Sequence, residues 1–154
     1  MYKTLESINL PYSNKRLGFE KSRGCLLGTT KGRFGRRGEG LARLCVKYPA
    51  EWNYIKEWAF KNVPTEIEWN CIQINKNLVC PPHRDRHNVG KSYIISFGDY
   101  EGCNLVVDGV EYDTRKGLIF DGYNDEHYNT PLIRGTRYSL TFFNNGMKHF
   151  LEYE

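Results

Sequence analysis

The sequence has no apolar run approaching the roughly 20 residues that span a bilayer. Its first residues, MYKTLESINLPYSNK, hold no apolar stretch of the kind that directs secretion. Both absences lead to the expectation of a soluble, intracellular chain with no membrane partner. No C-x-x-C pair occurs either. The five cysteines, Cys25, Cys45, Cys71, Cys80 and Cys103, are an odd set. That speaks against a zinc knuckle and against a disulfide framework, and it suits free thiols in a reducing compartment. Internal repeats are absent, and no G-x-x-x-x-G-K-[ST] phosphate loop closes the one glycine-rich stretch.

What is present fits one globular domain. A chain of 154 residues with 40% hydrophobic and 14% aromatic content can bury a single core. The expected organisation is one domain over 1–154: a basic N-terminal part with a helix (1–65), a β core (66–143) and a tail (144–154). The formal net charge of +4 is uneven. Lys and Arg outnumber Asp and Glu in the first third, and the balance reverses afterwards, which suggests an anionic partner for that third. Within it, RGCLLGTTKGRFGRRGEG (23–40) has too much glycine for a helix and reads as a basic loop. Arg33, Arg36 and Arg37 are candidate contacts to a phosphate backbone. An ordinary solvated surface is an equal alternative.

The remaining pattern divides into a helix and many short strands. Pro49 opens PAEWNYIKEWAFKN, where Trp52, Ile55 and Ala59 recur at helical spacing. From residue 66, EIEWNCIQIN alternates as a strand does. SYIISF (92–97) is rich in strand formers. Asp108-Gly109 joins two short strands as a hairpin. Gly98–Gly102 reads as a turn, and Gly117–Phe120, His127–Ile133 and Arg137–Phe143 as strands, the last two joined at Arg134-Gly135-Thr136. The first 22 residues suggest a strand or two, and the tail from Asn144 reads as peripheral. Short strands with turn chemistry between them mean a sandwich or barrel.

The segment Pro81-Pro82-His83-Arg84-Asp85-Arg86-His87-Asn88 carries the chemistry. Residues i and i+2 of an extended segment share a face, so His83 and Asp85 can meet at one point. An imidazole and a carboxylate are two parts of the two-histidine, one-carboxylate set that holds non-haem Fe(II). The third member would be His127, on a late strand. On the last strand, Arg137 and Ser139 alternate onto one face. An arginine turned into a small barrel needs an anion, and a guanidinium suits a carboxylate. His87 sits four residues from His83, a spacing that serves a metal only on a helix, and is read either as backing the metal ligands or as surface. His149 is read as exposed tail. Arg134 competes with Arg137 but lies beside Gly135 in a turn.

These strings resemble the Fe(II)/2-oxoglutarate dioxygenase superfamily. PPHRDRHN followed by SYIISF, and HYNTPLIRGTRYSLTFF, are similar to its TET/JBP group, the ten-eleven translocation methylcytosine oxygenases and J-binding-protein thymine hydroxylases. The resemblance covers roughly 66–143. It implies a double-stranded β-helix (jelly-roll, cupin-like) with an N-terminal helix. It implies Fe(II) bound by His83, Asp85 and His127, and the distal carboxylate of 2-oxoglutarate held by Arg137 and Ser139. Asn88 would lie near the target base. O2 is the co-substrate and ascorbate a reductant. The implied reaction hydroxylates the methyl group of 5-methylcytosine or thymine, with nucleic acid, DNA ahead of RNA, as the partner; a monomer is expected, with nothing in the sequence that fixes the oligomeric state. The chain lacks the group's cysteine-rich region, and Cys103 stands where related sequences often carry a second glycine after Gly102. Three alternatives remain open: the same chemistry on RNA or alkylated bases or on a protein side chain, a non-catalytic jelly-roll module, and a basic nucleic-acid-binding protein.

Overall fold

The computed structural model of the protein describes residues 1–12, 22–31 and 39–154. In chain order these form helix α1 (Tyr2–Glu6), strands β1 (Arg23–Lys31) and β2 (Glu39–Leu41), and helices α2 (Arg43–Lys47) and α3 (Pro49–Asn62). Strands β3 (Cys71–Lys76), β4 (Ser92–Phe97), β5 (Tyr100–Gly102), β6 (Leu105–Val107) and β7 (Val110–Tyr112) follow. The last are β8 (Leu118–Phe120), β9 (His127–Asn129), β10 (Leu132–Gly135) and β11 (Tyr138–Phe143). No helix among the described residues is long and apolar enough to cross a membrane.

Helix α3 follows from its sequence. Pro49 fixes φ at the first turn and has no N–H to leave unpaired. Trp52, Ile55 and Ala59 fall on one stripe and are buried. The helix stops where Val63 turns extended ahead of Pro64.

The stripe packs on a six-stranded sheet of order β2-β1-β3-β11-β4-β8. Every pairing in it is antiparallel, and β11 lies between β3 and β4. Alternation gives this sheet two different faces. Ile72, Ile74, Tyr138, Leu140 and Phe142 join Leu5, Leu27, Trp52, Ile55 and Ala59 in the main core. Each large apolar side chain fully buried there contributes about 1.5–3 kcal/mol. The intervening residues Gln73, Asn75, Ser139 and Thr141 line a cavity on the other face.

That cavity is closed by a second layer of two small sheets, β10-β5 and β7-β6-β9. The β6–β7 hairpin turns at Asp108 and Gly109, whose φ values of 48° and 80° are those of a type I′ turn. Ile94 and Phe120 of the large sheet pack across the gap on Leu105 and Val107. The fold is mainly β, with helices packed on the outside of a double-stranded β-helix.

The structure departs from the sequence reading in several places. The stretch read as a basic loop is, over Arg23–Lys31, a nine-residue strand paired with β3. Its glycines mark close backbone approach rather than a turn. A Cβ on Gly24 would meet Asn75 Oδ1 at 2.5 Å, and one on Gly28, already at φ 90°, would collide with the Asn70 carbonyl. Near the N-terminus, residues 2–6 form a helix rather than a strand. The strand expected from residue 66 begins at Cys71. Tyr100–Gly102, read as part of a turn, is a strand paired with β10. The strand read as His127–Ile133 is broken at Thr130-Pro131 into β9 and β10, which belong to different sheets. Arg134-Gly135 lies in β10, which pairs with β5 and not with β11, so no hairpin joins them. The tail is not peripheral. Phe150 is fully buried, its ring 5.1 Å edge-on from that of Trp52. Glu154 accepts hydrogen bonds from Trp52 Nε1 and Lys56 Nζ, both at 2.7 Å. His149 is half-buried against Phe150, with ring centroids 4.0 Å apart.

Candidate metal centre

The segment after Pro81 is stapled to β9. His83 and His127 exchange both backbone hydrogen bonds, each at 3.0 Å. The Asn129 N–H donates to the Cys80 carbonyl at 3.0 Å, and the Asp85 N–H donates to the Gly122 carbonyl at 2.7 Å. Directly opposite residues of an antiparallel pair project to one face, and the two imidazole centroids lie 4.2 Å apart. Asp85, two residues after His83, joins them. Arg84 is exposed on the other side, its Nε donating to the Asn124 carbonyl at 3.0 Å.

Each imidazole is held in one orientation from behind. His83 Nδ1 lies 2.8 Å from the Pro81 carbonyl, and His127 Nδ1 lies 2.9 Å from the Asp125 carbonyl. A carbonyl only accepts, so both Nδ1 atoms carry the proton. The Nε2 atoms point forward, toward the Asp85 carboxylate at 3.5 and 3.2 Å, where an Nε2 proton can bridge ring and carboxylate. Burial alone would raise the Asp85 carboxyl. The two facing imidazoles outweigh burial and hold it well below the usual carboxylate range. One ligand atom from each of the three residues lies within 4.8 Å of the others. A metal ion that displaces those protons would meet the same three donors, and two imidazoles with one carboxylate suit a first-row metal such as Fe(II). The donor set therefore fits the ion that the resemblance implies.

A cavity of about 140 Å³ runs from this cluster to Arg137. Leu78, Ile94, Leu105 and Phe120 form its apolar wall, and Asn75, Asn88 and Ser139 also line it. Arg137 is 2% exposed. One of its terminal nitrogens donates to Thr114 Oγ1 at 2.9 Å, and that hydroxyl is itself paired with Ser96 Oγ. Among the described residues its Nε has no partner. No carboxylate among the described residues pairs with it, so the inner end of the cavity holds a buried positive charge without a counterion. Arg134, by contrast, is 58% exposed and pairs with Asp99 and Glu101 at 3.2 and 3.4 Å. Burial pushes the Cys103 thiol up, while Arg137 beside it pulls the other way. Cys103 takes a φ of 53°, a left-handed conformation rare outside glycine.

The structure thus brings His83, Asp85, His127, Asn88, Arg137 and Ser139 around one cavity. His87 is exposed. Arg33, Arg36 and Arg37 lie outside the described residues. Two further residues escaped the sequence reading. Asn75 stands directly opposite Ser139 in the β3–β11 register and is buried in the cavity wall. Its Oδ1 accepts from Gln73 Nε2 at 3.1 Å, and its amide nitrogen makes no hydrogen bond among the described residues. The alternation Gln73-Ile74-Asn75 was the available signal. Gly122 passes so close that a Cβ there would lie 2.6 Å from Asp85 Oδ2. Nothing in the string Asp-Gly-Tyr-Asn-Asp announces that contact.

Fold and site together define a double-stranded β-helix with a two-histidine, one-carboxylate cluster at one mouth. No protein-family model and no curated protein matches the chain. Among solved structures it is similar to NgTET1 in complex with 5mC DNA, with a TM-score of 0.60 and 12% identity over 80% of this chain. The chain spans 61% of that NgTET1 chain, and the likeness is one of fold. A Pseudomonas putida prolyl-4-hydroxylase superposes more loosely, with a TM-score of 0.42 and 16% identity over 79% of this chain and 68% of that one.

Proposed function

We propose that the chain is an Fe(II)- and 2-oxoglutarate-dependent dioxygenase that hydroxylates a C–H bond. Its substrate in this reading is the 5-methyl group of 5-methylcytosine or thymine in DNA. The observation that carries it is the pairing, in one cavity, of a three-donor cluster with a buried guanidinium that lacks a counterion among the described residues. The fold shared with NgTET1, solved with 5mC DNA, supports the choice of substrate.

His83 Nε2, His127 Nε2 and the Asp85 carboxylate would hold the metal. Arg137 would take the distal carboxylate of 2-oxoglutarate as a charge-assisted pair, with the Ser139 hydroxyl and the Asn75 amide as further donors. When bound, the iron and 2-oxoglutarate supply the oxidation: one atom of O2 enters the substrate and the other leaves in succinate, with CO2 released. The protein orients the groups and keeps the cavity dry with its apolar wall. A base in a duplex must leave the stack to reach such a site.

The test is nucleoside mass spectrometry after incubation with Fe(II), 2-oxoglutarate, ascorbate and DNA containing thymine, cytosine and 5-methylcytosine. A gain of one oxygen on one nucleoside, lost in His83→Ala, is the expected result. Parallel RNA reactions separate the two nucleic acids. Succinate formation without a modified nucleoside would sink the choice of substrate. Full turnover in His83→Ala would sink the metal site.

A further inference from the structure

A second concavity lies outside the metal cluster and shares His83 with it. Pro82, His83, Arg84, Arg86, Tyr123 and Asn124 line this open groove of about 820 Å³. The inner cavity, at about 140 Å³, has room for a small acid. The outer groove has room for several planar or charged groups at once.

Its chemistry is selective. Arg86 is exposed and has no ion-pair partner among the described residues. Arg84 is fixed over the loop by its Nε bond to the Asn124 carbonyl, and its terminal nitrogens make no ion pair among the described residues. Tyr123 is 52% exposed, yet it does not sit on a loose tip. Asp121 accepts hydrogen bonds from the Asn124 backbone N–H at 3.0 Å and from its side-chain amide at 2.7 Å. The Asp125 N–H closes the same turn on the Asp121 carbonyl at 2.9 Å. A rigid turn therefore presents an aromatic ring to solvent beside two arginines. The loop's acids, Asp121, Asp125 and Glu126, form no ion pair with Arg84 or Arg86 among the described residues, and Asp121 and Asp125 line a neighbouring cavity with Lys91.

We infer that this groove binds single-stranded DNA, with a base stacked on Tyr123 and flanking phosphates on Arg84 and Arg86, so that the adjacent nucleotide reaches the metal cluster. An aromatic platform beside cations is the combination that holds unpaired nucleotides. A ring can stack on Tyr123 only if its base is free of one neighbour, which favours a single strand over a closed duplex. The inference rests on the proposed DNA-base reading for the choice of DNA. It replaces no contact assigned to Arg33, Arg36 or Arg37.

Binding is read apart from turnover. The full-length chain without iron is titrated against a fluorescein-labelled single-stranded oligodeoxynucleotide, its duplex and the RNA of the same sequence, by anisotropy over a range of salt. The single-stranded DNA is expected to bind most tightly. Tyr123→Ala should weaken it roughly 5- to 100-fold, while Tyr123→Phe should retain most of the affinity. Arg86→Gln should flatten the dependence of log Kd on log salt by about 0.7. These positions are exposed, and circular dichroism checks that the variants fold. Equal binding of duplex and single strand, tighter binding of RNA, or an unchanged Kd in Tyr123→Ala would overturn the inference. Succinate formation without oligonucleotide binding would remove the groove and leave the catalytic reading standing. Binding through Tyr123 without 2-oxoglutarate consumption would do the reverse.

Discussion

Arg137 should be a group that costs stability and confers function, and replacing it with methionine separates the two. The guanidinium is 2% exposed, donates to Thr114 at 2.9 Å and, among the described residues, leaves Nε unpaired. Exchanging buried charged groups for apolar ones of similar volume stabilises proteins by about 1–4 kcal/mol in favourable cases. Losing the Thr114 bond returns about 1 kcal/mol of that. We therefore expect Arg137→Met, without ligand, to gain up to about 3 kcal/mol, a rise in Tm of up to roughly 10 °C. The ligand arm runs the other way. Removing one partner of a buried charge pair costs about 2–5 kcal/mol, or from about 30-fold to several-thousand-fold in affinity. With Mn(II) in place of iron and 2-oxoglutarate at 100 times its Kd, the wild type should gain about 2.7 kcal/mol. The variant should then gain less than about 0.9 kcal/mol. Differential scanning fluorimetry with and without 2-oxoglutarate measures both. If Tm falls by several degrees without ligand and the response to 2-oxoglutarate is unchanged, Arg137 is a structural residue and the argument is wrong.

Three further outcomes are expected. Gly122→Ala places a methyl group 2.6 Å from Asp85 Oδ2; the carboxylate must swing aside, so metal affinity by calorimetry should fall about 10- to 100-fold while Tm stays within a few degrees. Glu154 accepts from Trp52 and Lys56; burial alone would raise its carboxyl, but Lys56 and Trp52 outweigh burial and lower it. A depressed carboxyl stabilises the fold above its unfolded pKa and loses that as pH falls through the folded one. Glu154→Gln should thus cost about 1 kcal/mol at neutral pH, and urea titrations should show the difference from wild type closing below about pH 4. Finally, burial pushes the Cys25 and Cys71 thiols up to about 12 and Cys45 to about 11, so iodoacetamide at mildly alkaline pH should leave all three unlabelled until the chain is denatured; prompt labelling of Cys45 or Cys71 would contradict their burial.

What was legible in the sequence follows the range of the interactions. Helix α3 is written locally, in Pro49, the apolar stripe and Pro64, and its limits agree with the sequence. The Asp108-Gly109 hairpin is equally local. Strand β1 was unreadable for the opposite reason. Its glycines are there because β3 and Asn70 crowd them, and a distant neighbour leaves no trace within the stretch itself. The same holds for Tyr100–Gly102, three residues with turn-like composition that become a strand only because β10 lies alongside. The tail read as peripheral because Phe150 meets Trp52 across a long span of sequence. Within the site, the His83 and Asp85 spacing was visible because period 2 is local. The Nδ1 bonds to Pro81 and Asp125, which orient both rings, were not.

One physical arrangement ties the fold to the chemistry. Strands β3 and β11 are each used on both faces. Ile72, Ile74, Leu140 and Phe142 anchor the core, and Gln73, Asn75, Ser139 and Thr141 alternate with them into the cavity. A one-residue slip of either strand would turn a polar row into the core and an apolar row into the cavity. The main core therefore enforces the register that sets Asn75 opposite Ser139, and with it the position of Arg137 just before β11. The three-donor cluster depends on different contacts, the His83–His127 backbone pair and the Asp85–Gly122 bond. These belong to the smaller layer and the loops. Damage to the main core should then disturb the carboxylate end of the cavity before the metal end, whereas changes at Gly122 or in the Asp121–Glu126 loop should do the opposite. Two halves of one cavity thus rest on two separate layers, so under the proposed reading variants of one layer should change 2-oxoglutarate affinity and variants of the other should change metal affinity.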